Sequence, residues 1–189
     1  MVAPSDAWVD RPLFGGAMLL PLPARMTDIS DIRPVPDHQE VWADPHCDQS
    51  LVVEVVEYAS AVQCDQECGR YYFEDQACQN DSSSSALQAI TRLGAADVPL
   101  VPSDKCAAVL LASGSQMVTK GGSIGAGSMT VDVQVLVLRL PAVAADVLLV
   151  LNTPVAEQAA ASAGQEPSEL LRSAALGLQI KDWGLFGPG

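Results

Sequence analysis

The stretch Val131–Leu140 reads VDVQVLVLRL and is the strongest indicator of the fold class. Valine occupies every second position from 131 to 137, which is the period of a strand whose successive side chains point to opposite faces. Pro141 ends the pattern, and the apolar run Asp146–Asn152 follows after a short connection. Because parallel strands need a crossover of about a dozen residues or more, this spacing predicts an antiparallel hairpin.

The rest of the chain adds strands and helices to this hairpin. Leu51–Tyr58 (LVVEVVEY) is rich in β-branched residues and is predicted as a strand, although its valines also form a helical stripe opposite Glu54 and Glu57. Further strands are predicted at Ala17–Leu22, Gln39–Ala43 and Ala107–Ala112, and helices at Arg70–Ala77 and Ser168–Leu178. This order predicts an α+β fold with a largely antiparallel sheet covered by helices.

Length and turn composition indicate how the chain is divided. The 189 residues fit a single domain over residues 1–189. Residues 1–12 are expected to be flexible. The glycine-rich stretch Gly121–Ser128 is expected to be a loop, and residues 156–166 a loop or linker.

The chain is strongly acidic, and its acids are unevenly distributed. Ten Lys and Arg stand against 23 Asp and Glu, which gives a net charge of −13. A protein that binds nucleic-acid backbones needs basic patches, so this class is a poor hypothesis. Eight acids lie between Asp28 and Glu57, where Arg33 is the single base. This cluster is either a solvated face or a docking surface for a basic partner.

The cysteines and apolar stretches favour neither a disulfide framework nor a membrane span. The five cysteines are an odd number, and the N-terminus lacks the basic and apolar regions of a secretory signal, so a reducing compartment is expected. No CxxC or HxxxH pattern is present, and we expect no metal. No apolar stretch approaches the roughly 20 residues that a membrane helix needs.

The sequence offers little for catalysis. It contains no GxSxG nucleophile elbow, and His38 and His46 are its two imidazoles. The stretch that begins at Lys120, KGGSIGAGS, lacks the GK[ST] ending of a phosphate-binding loop. Glu54 and Glu57 could form an acid–base pair, but nine aromatic residues are few for a sugar cleft. We therefore expect a non-enzymatic protein without a cofactor.

Several segments resemble the signatures of the Ran guanine nucleotide release factor family. They are Leu13–Ala17 (LFGGA), Asp28–Val41 (DISDIRPVPDHQEV), Asp48–Glu54 (DQSLVVE), Tyr71–Asp75 (YYFED), Leu138–Pro141 (LRLP), Asp146–Pro154 and Trp183–Gly187 (WGLFG). They occur in the family's order and span nearly the whole chain. The chain departs from the family pattern at Cys64–Cys68 and in its Gly- and Ala-rich stretches.

The resemblance implies a non-catalytic factor with one Ran-binding domain, and the net charge of −13 favours a monomer. Such a factor binds the small GTPase Ran, promotes release of its guanine nucleotide and supports nuclear import, in the nucleus and cytoplasm. The implied fold is an α/β/α sandwich similar to the PsbP proteins of photosystem II. The implied Ran-binding residues are, by position, Glu54 and Glu57, followed by Asp31, Arg33, Asp37 and Glu40. Arg33 and Asp37 could instead form an internal ion pair or turn cap.

Two other functions stay open on the sequence alone. A PsbP-like structural subunit of a photosynthetic complex would share the fold, but it needs a lumen-targeting presequence that the chain does not show. A trafficking scaffold without Ran activity would also fit the fold. Other Ran regulators are further candidate partners.

Overall fold

The computed structural model describes residues 7–30, 32, 35–119, 127–155 and 167–187. Its strands are β1 (Trp8–Leu13), β2 (Met18–Pro23), β3 (Thr27–Asp28), β4 (Gln39–Asp44), β5 (Gln49–Glu57), β6 (Ser84–Leu93), β7 (Ala108–Thr119), β8 (Ser128–Leu140), β9 (Ala145–Pro154) and β10 (Gln179–Ile180). The α-helices are α1 (Asp65–Gln79) and α2 (Pro167–Leu176). No helix within the described ranges is both long enough and apolar enough to cross a membrane.

Within the described ranges, seven strands form a large antiparallel sheet and three form a small one. The large sheet has the order β3-β4-β5-β9-β8-β7-β6, and the small sheet has the order β1-β2-β10. The predicted hairpin is confirmed, because β8 pairs with β9 from Val131 opposite Pro154 to Leu140 opposite Ala145. The prediction of a strand rather than a helix at Leu51–Tyr58 is confirmed by β5.

Strands β8 and β9 supply side chains to two hydrophobic cores, one on each face of the large sheet. On the α2 face, Leu136 and Leu149 pack with α2 and the small sheet. On the α1 face, Val135 and Leu148 pack with α1. All four side chains are fully buried. The helices therefore lie on opposite faces of the sheet, and the α+β class with an α/β/α arrangement is confirmed.

Four parts of the structure differ from the sequence predictions. Residues 8–12 were expected to be flexible, but they belong to β1, which pairs along its whole length with β2 and buries Leu13. Strand β6 is absent from the sequence prediction, and β7 continues to Thr119, beyond the predicted end at Ala112. Helix α1 begins at Asp65, before the predicted Arg70.

Two of the predicted loops fall mainly outside the described residues. Residues 156–166 are not described, and neither are residues 120–126 of the glycine-rich stretch. Of that stretch, Gly127 and Ser128 are described, and Ser128 begins β8.

Candidate functional site

The β4–β5 hairpin brings together acids that are far apart in the sequence. Gln39 at the start of β4 lies opposite Glu54 near the end of β5. Asp37, Glu40, Glu54 and Glu57 therefore lie at one end of the large sheet, and we call these four residues the acidic end. The other two predicted site residues, Asp31 and Arg33, lie outside the described residues.

Glu54 is a buried carboxylate with one oxygen that lacks a hydrogen-bond donor among the described residues. Its side chain is on the α1 face and only 4% exposed. The Oε1 atom accepts a hydrogen bond from Gln39 Nε2 at 2.9 Å, and the exposed His38 Nε2 lies 3.4 Å away. No described residue donates a hydrogen bond to Oε2. Because a buried acceptor without a donor is costly, an additional donor at this oxygen would be favourable.

Glu57 has the opposite environment, although it lies on the same strand. It is exposed at the end of β5, opposite Ala145. Side chains of a strand alternate between faces, so residues three apart point to opposite faces. Glu54 shares the α1 face with Val56, whereas Glu57 is on the α2 side. The two carboxylates consequently cannot form the acid–base pair that the sequence allowed.

Glu40 is half-buried and is bonded to a distant turn. It lies on the α2 face, opposite Val53. Its Oε1 accepts a hydrogen bond from the backbone N–H of Phe14 at 2.5 Å. Burial raises the pKa of the Glu40 carboxyl, the Phe14 hydrogen bond opposes the rise, and the negative charge of Asp28 adds to it. This carboxylate has an internal partner as well as a place at the acidic end.

Asp37 is an exposed acid in the turn before β4. The turn is closed by a hydrogen bond from Gln39 N to Pro36 O at 2.9 Å. Its aspartate is solvent-exposed, as is the neighbouring His38. Asp37 and Glu57 are thus the freely accessible charges of the acidic end, while Glu40 and Glu54 are partly or wholly enclosed.

A buried ion pair orders the segment that follows Glu57. Arg139 on β8 lies directly opposite Asp146 on β9, with 3.5 Å between Nε and Oδ1. Arg139 donates to Ala59 O at 2.8 Å and lies over the Tyr58 ring at 4.2 Å. Asp146 Oδ2 accepts from Ala59 N at 3.1 Å and from the Tyr72 hydroxyl at 2.5 Å. The pair therefore holds Tyr58 and Ala59, which follow β5, against the large sheet.

This ion pair is absent from the sequence predictions, although the sequence contains a signal for it. Arg139 is the single charge in the apolar end of β8, and Asp146 is the single charge in β9. A charge in a strand that is buried on both faces needs a partner, and the hairpin register supplies one. Among the described residues, no group of three or more His, Cys, Asp or Glu is placed to hold a metal ion.

Comparison with known proteins places the chain in a family. The model of the family described as "Mog1: Ran-interacting Mog1 protein" matches residues 11–154. The Ran guanine nucleotide release factor of Bos taurus is 36% identical over 186 residues, covering 95% of this chain and 97% of that protein. The nuclear import protein mog1 of Schizosaccharomyces pombe is 27% identical over 143 residues, 75% of each chain.

A solved structure supports the same placement at the level of the fold. The crystal structure of the Saccharomyces cerevisiae Ran-binding protein Mog1p superimposes with a TM-score of 0.67 and 21% sequence identity, over 97% of this chain and 100% of that one. The residues that the family model matches include the β4–β5 hairpin with the acidic end, and the Arg139–Asp146 pair. This chain belongs to the Ran-interacting Mog1 protein family.

Proposed function

We propose that this protein binds the small GTPase Ran and promotes release of its guanine nucleotide, in support of nuclear protein import. The observation that carries the proposal is the family match over residues 11–154, which contain the whole acidic end. The protein acts as a binding factor rather than as an enzyme, and it works as a monomer in the nucleus and cytoplasm. Other Ran regulators are candidate further partners.

The acidic end is the proposed contact surface for Ran. Exposed charges such as Asp37 and Glu57 would steer a basic surface of the partner during encounter. The enclosed Glu54 would act later, because a donor from the bound partner can reach its buried, unpaired Oε2 only after the surrounding residues move. Asp31 and Arg33 belong to the same proposed surface because they precede Asp37 in the recognised motif.

Thermodynamic linkage defines what this contact must accomplish. A release factor has to bind nucleotide-free Ran more tightly than nucleotide-bound Ran. By linkage, bound nucleotide must lower the affinity of Ran for the factor by the same ratio. A carboxylate of the acidic end can produce that preference by competing with phosphate or Mg²⁺ for a cation near the nucleotide. An exposed Glu57 can reach such a cation without any rearrangement of the sheet.

Release of a fluorescent guanine nucleotide from purified Ran tests the proposal. Wild-type protein is expected to accelerate release, and Asp37→Lys and Glu57→Lys are expected to slow it most strongly at low salt. Glu54→Gln is expected to act on dissociation of the complex, where loss of a buried interfacial charge typically costs about 2–5 kcal/mol.

The matched control is Asp104→Lys. Asp104 is also an exposed aspartate, but it precedes β7, which is four strands from β4 in the large sheet. Its charge reversal is expected to leave release at the wild-type rate. Absence of acceleration by wild-type protein would refute the function, and an equal loss in the control would refute the location of the surface.

A further inference from the structure

The connection between β1 and β2 has an unusual backbone. Phe14, Gly15 and Gly16 have φ angles of 51°, 65° and 92°. Glycine adopts such angles readily, but for a bulky residue like phenylalanine they are strained. Apart from the neighbours in the chain, no described residue has an atom within 4 Å of the position that a Cβ would take at Gly15 or Gly16. The turn therefore presents open main chain next to a residue whose conformation needs external support.

Glu40 supplies that support from the other sheet. Its carboxylate accepts the N–H of Phe14 across 26 residues of sequence, and Ala17 N closes the turn by donating to Phe14 O at 3.2 Å. Hydrogen bonds to a charged acceptor are about twice as strong as neutral ones. The Phe14 ring packs partly buried against the core of the α2 face. Glu40 thus joins the small sheet to the acidic end of the large sheet.

The same contacts limit what the Glu40 charge can do for a partner. The carboxylate is half-buried, one oxygen is bonded internally, and burial raises its pKa. Asp37 and Glu57, by comparison, are exposed. A partner that docks on the acidic end meets the exposed Gly15 of the turn beside it.

We infer that Glu40 is a positioning residue, which holds the Phe14–Gly16 turn so that the open main chain of the turn contacts Ran beside the acidic end. The inference rests on the proposed function and adds a second contact element to it. The partner surface at this point is expected to approach the glycine backbone closely, as only residues without a Cβ allow. The exposed acids then speed the encounter with Ran, and the turn makes a close contact in the bound complex.

Two substitutions at Glu40 separate positioning from charge. Glu40→Ala removes both the charge and the acceptor, and nucleotide release from Ran is expected to fall about tenfold or more, as for loss of a charged hydrogen bond. Glu40→Gln removes the charge but keeps an amide oxygen that can accept from Phe14 N–H, and it is expected to recover most of this loss. Gly15→Val keeps Glu40 but disfavours the left-handed backbone, and it is expected to reproduce the defect of Glu40→Ala.

The dependence on salt distinguishes this role from a general structural one. Glu57→Gln is the matched neutralisation of an exposed acid, and it is expected to reduce the salt dependence of the release rate. Glu40→Ala is expected to leave that dependence close to wild type, because it changes fit rather than steering. The inference is wrong if Glu40→Gln lowers the release rate as much as Glu40→Ala and also reduces its salt dependence as Glu57→Gln does. Ran would then contact the charge of Glu40 directly.

A measurement without Ran keeps the inference separate from the proposed function. The amide NMR signals of Phe14, Gly15 and Gly16 are expected to shift in Glu40→Ala and to stay near their wild-type positions in Glu40→Gln. Unchanged signals in Glu40→Ala would show that the turn holds itself and would overturn the positioning role. Wild-type protein that fails to accelerate release would overturn the proposed function and the Ran contact of the turn, whatever the NMR signals show.

Discussion

Replacing Asp146 by alanine is expected to remove a large part of the protein's stability. The side chain is fully buried and has three partners: the Tyr72 hydroxyl at 2.5 Å, Ala59 N at 3.1 Å and Arg139 Nε at 3.5 Å. Alanine leaves the guanidinium of Arg139, only 6% exposed, without its counter-charge. Loss of one partner from a buried ion pair costs about 3–5 kcal/mol, which is a large fraction of the roughly 5–15 kcal/mol that stabilises a domain.

Urea unfolding followed by circular dichroism measures this loss. With a urea dependence near 3 kcal/mol per molar, the upper end for small domains, the midpoint should fall by about 1–2 M. Asp132→Ala is the matched control, because Asp132 is an exposed aspartate on β8, and its effect should stay within about 0.5 kcal/mol.

A double variant tests whether the ion pair is the cause. Arg139→Met with Asp146→Leu is expected to be less unstable than the sum of the two single changes, because no unpaired charge then remains. A loss below about 1 kcal/mol in Asp146→Ala, or full additivity in the double variant, would refute the reasoning.

Three further outcomes are expected from the packing and titration of single residues. Gly114→Ala should destabilise by about 1–3 kcal/mol in thermal unfolding, since its Cβ would lie 2.2 Å from a main-chain oxygen of β6, whereas Gly127→Ala, with open space, should not. Cys68 is fully buried and burial raises its pKa to about 11, so a thiol reagent at pH 8 should modify it only after denaturant is added, as read by mass spectrometry. Burial alone would raise the pKa of Asp44, but hydrogen bonds, including one from Arg25, hold this pKa below its ordinary value. The ionised Asp44 therefore stabilises the fold fully above the pKa of an unfolded aspartate, and this stabilisation is lost as pH falls through the folded pKa. Asp44→Asn should consequently make the free energy of unfolding depend less on pH below pH 5.

The sequence predicts strands that have an uninterrupted pattern, which is alternation in β8 and a run of apolar residues at the start of β7. In β8 the valines keep period two because they all face the α1 core, while Asp132 is exposed and Gln134 half-buried on the opposite face. In β6 the register shifts between Leu87 and Ala89. Leu87 and Ile90 both pack toward the α1 face although they are three residues apart. Because the bulge interrupts the alternation of side chains, a period of two does not indicate this strand.

The start of α1 is hidden for a different reason. Its first turns contain polar residues and Gly69, so the apolar periodicity of a helix is weak there. The glycine is needed because a Cβ at this position would lie 2.8 Å from Ile90 Cγ2. Close packing between helix and sheet, which a local pattern does not encode, selects the residue.

The candidate site could be predicted as a set of residues but not as a geometry. The acids follow from composition and from the motifs that contain them. The burial of Glu54 depends on the pairing of β4 with β5 and on the nearby Gln39. The bond from Phe14 to Glu40 depends on how two separate sheets pack. Both are tertiary contacts, which a sequence pattern cannot specify.

The position of β5 in the large sheet has a consequence for the order of folding. Strands β6 to β9 pair with their sequence neighbours, whereas β5 pairs with β9, with Glu54 opposite Leu148. Closing that loop of roughly ninety residues has to wait until β9 exists, and distant pairings form slowly. On the ribosome, the β4–β5 hairpin therefore leaves the exit tunnel long before its neighbouring strand has been translated. The hairpin that carries the acidic end therefore lacks its neighbour in the large sheet until β9, which ends at Pro154, has been synthesised.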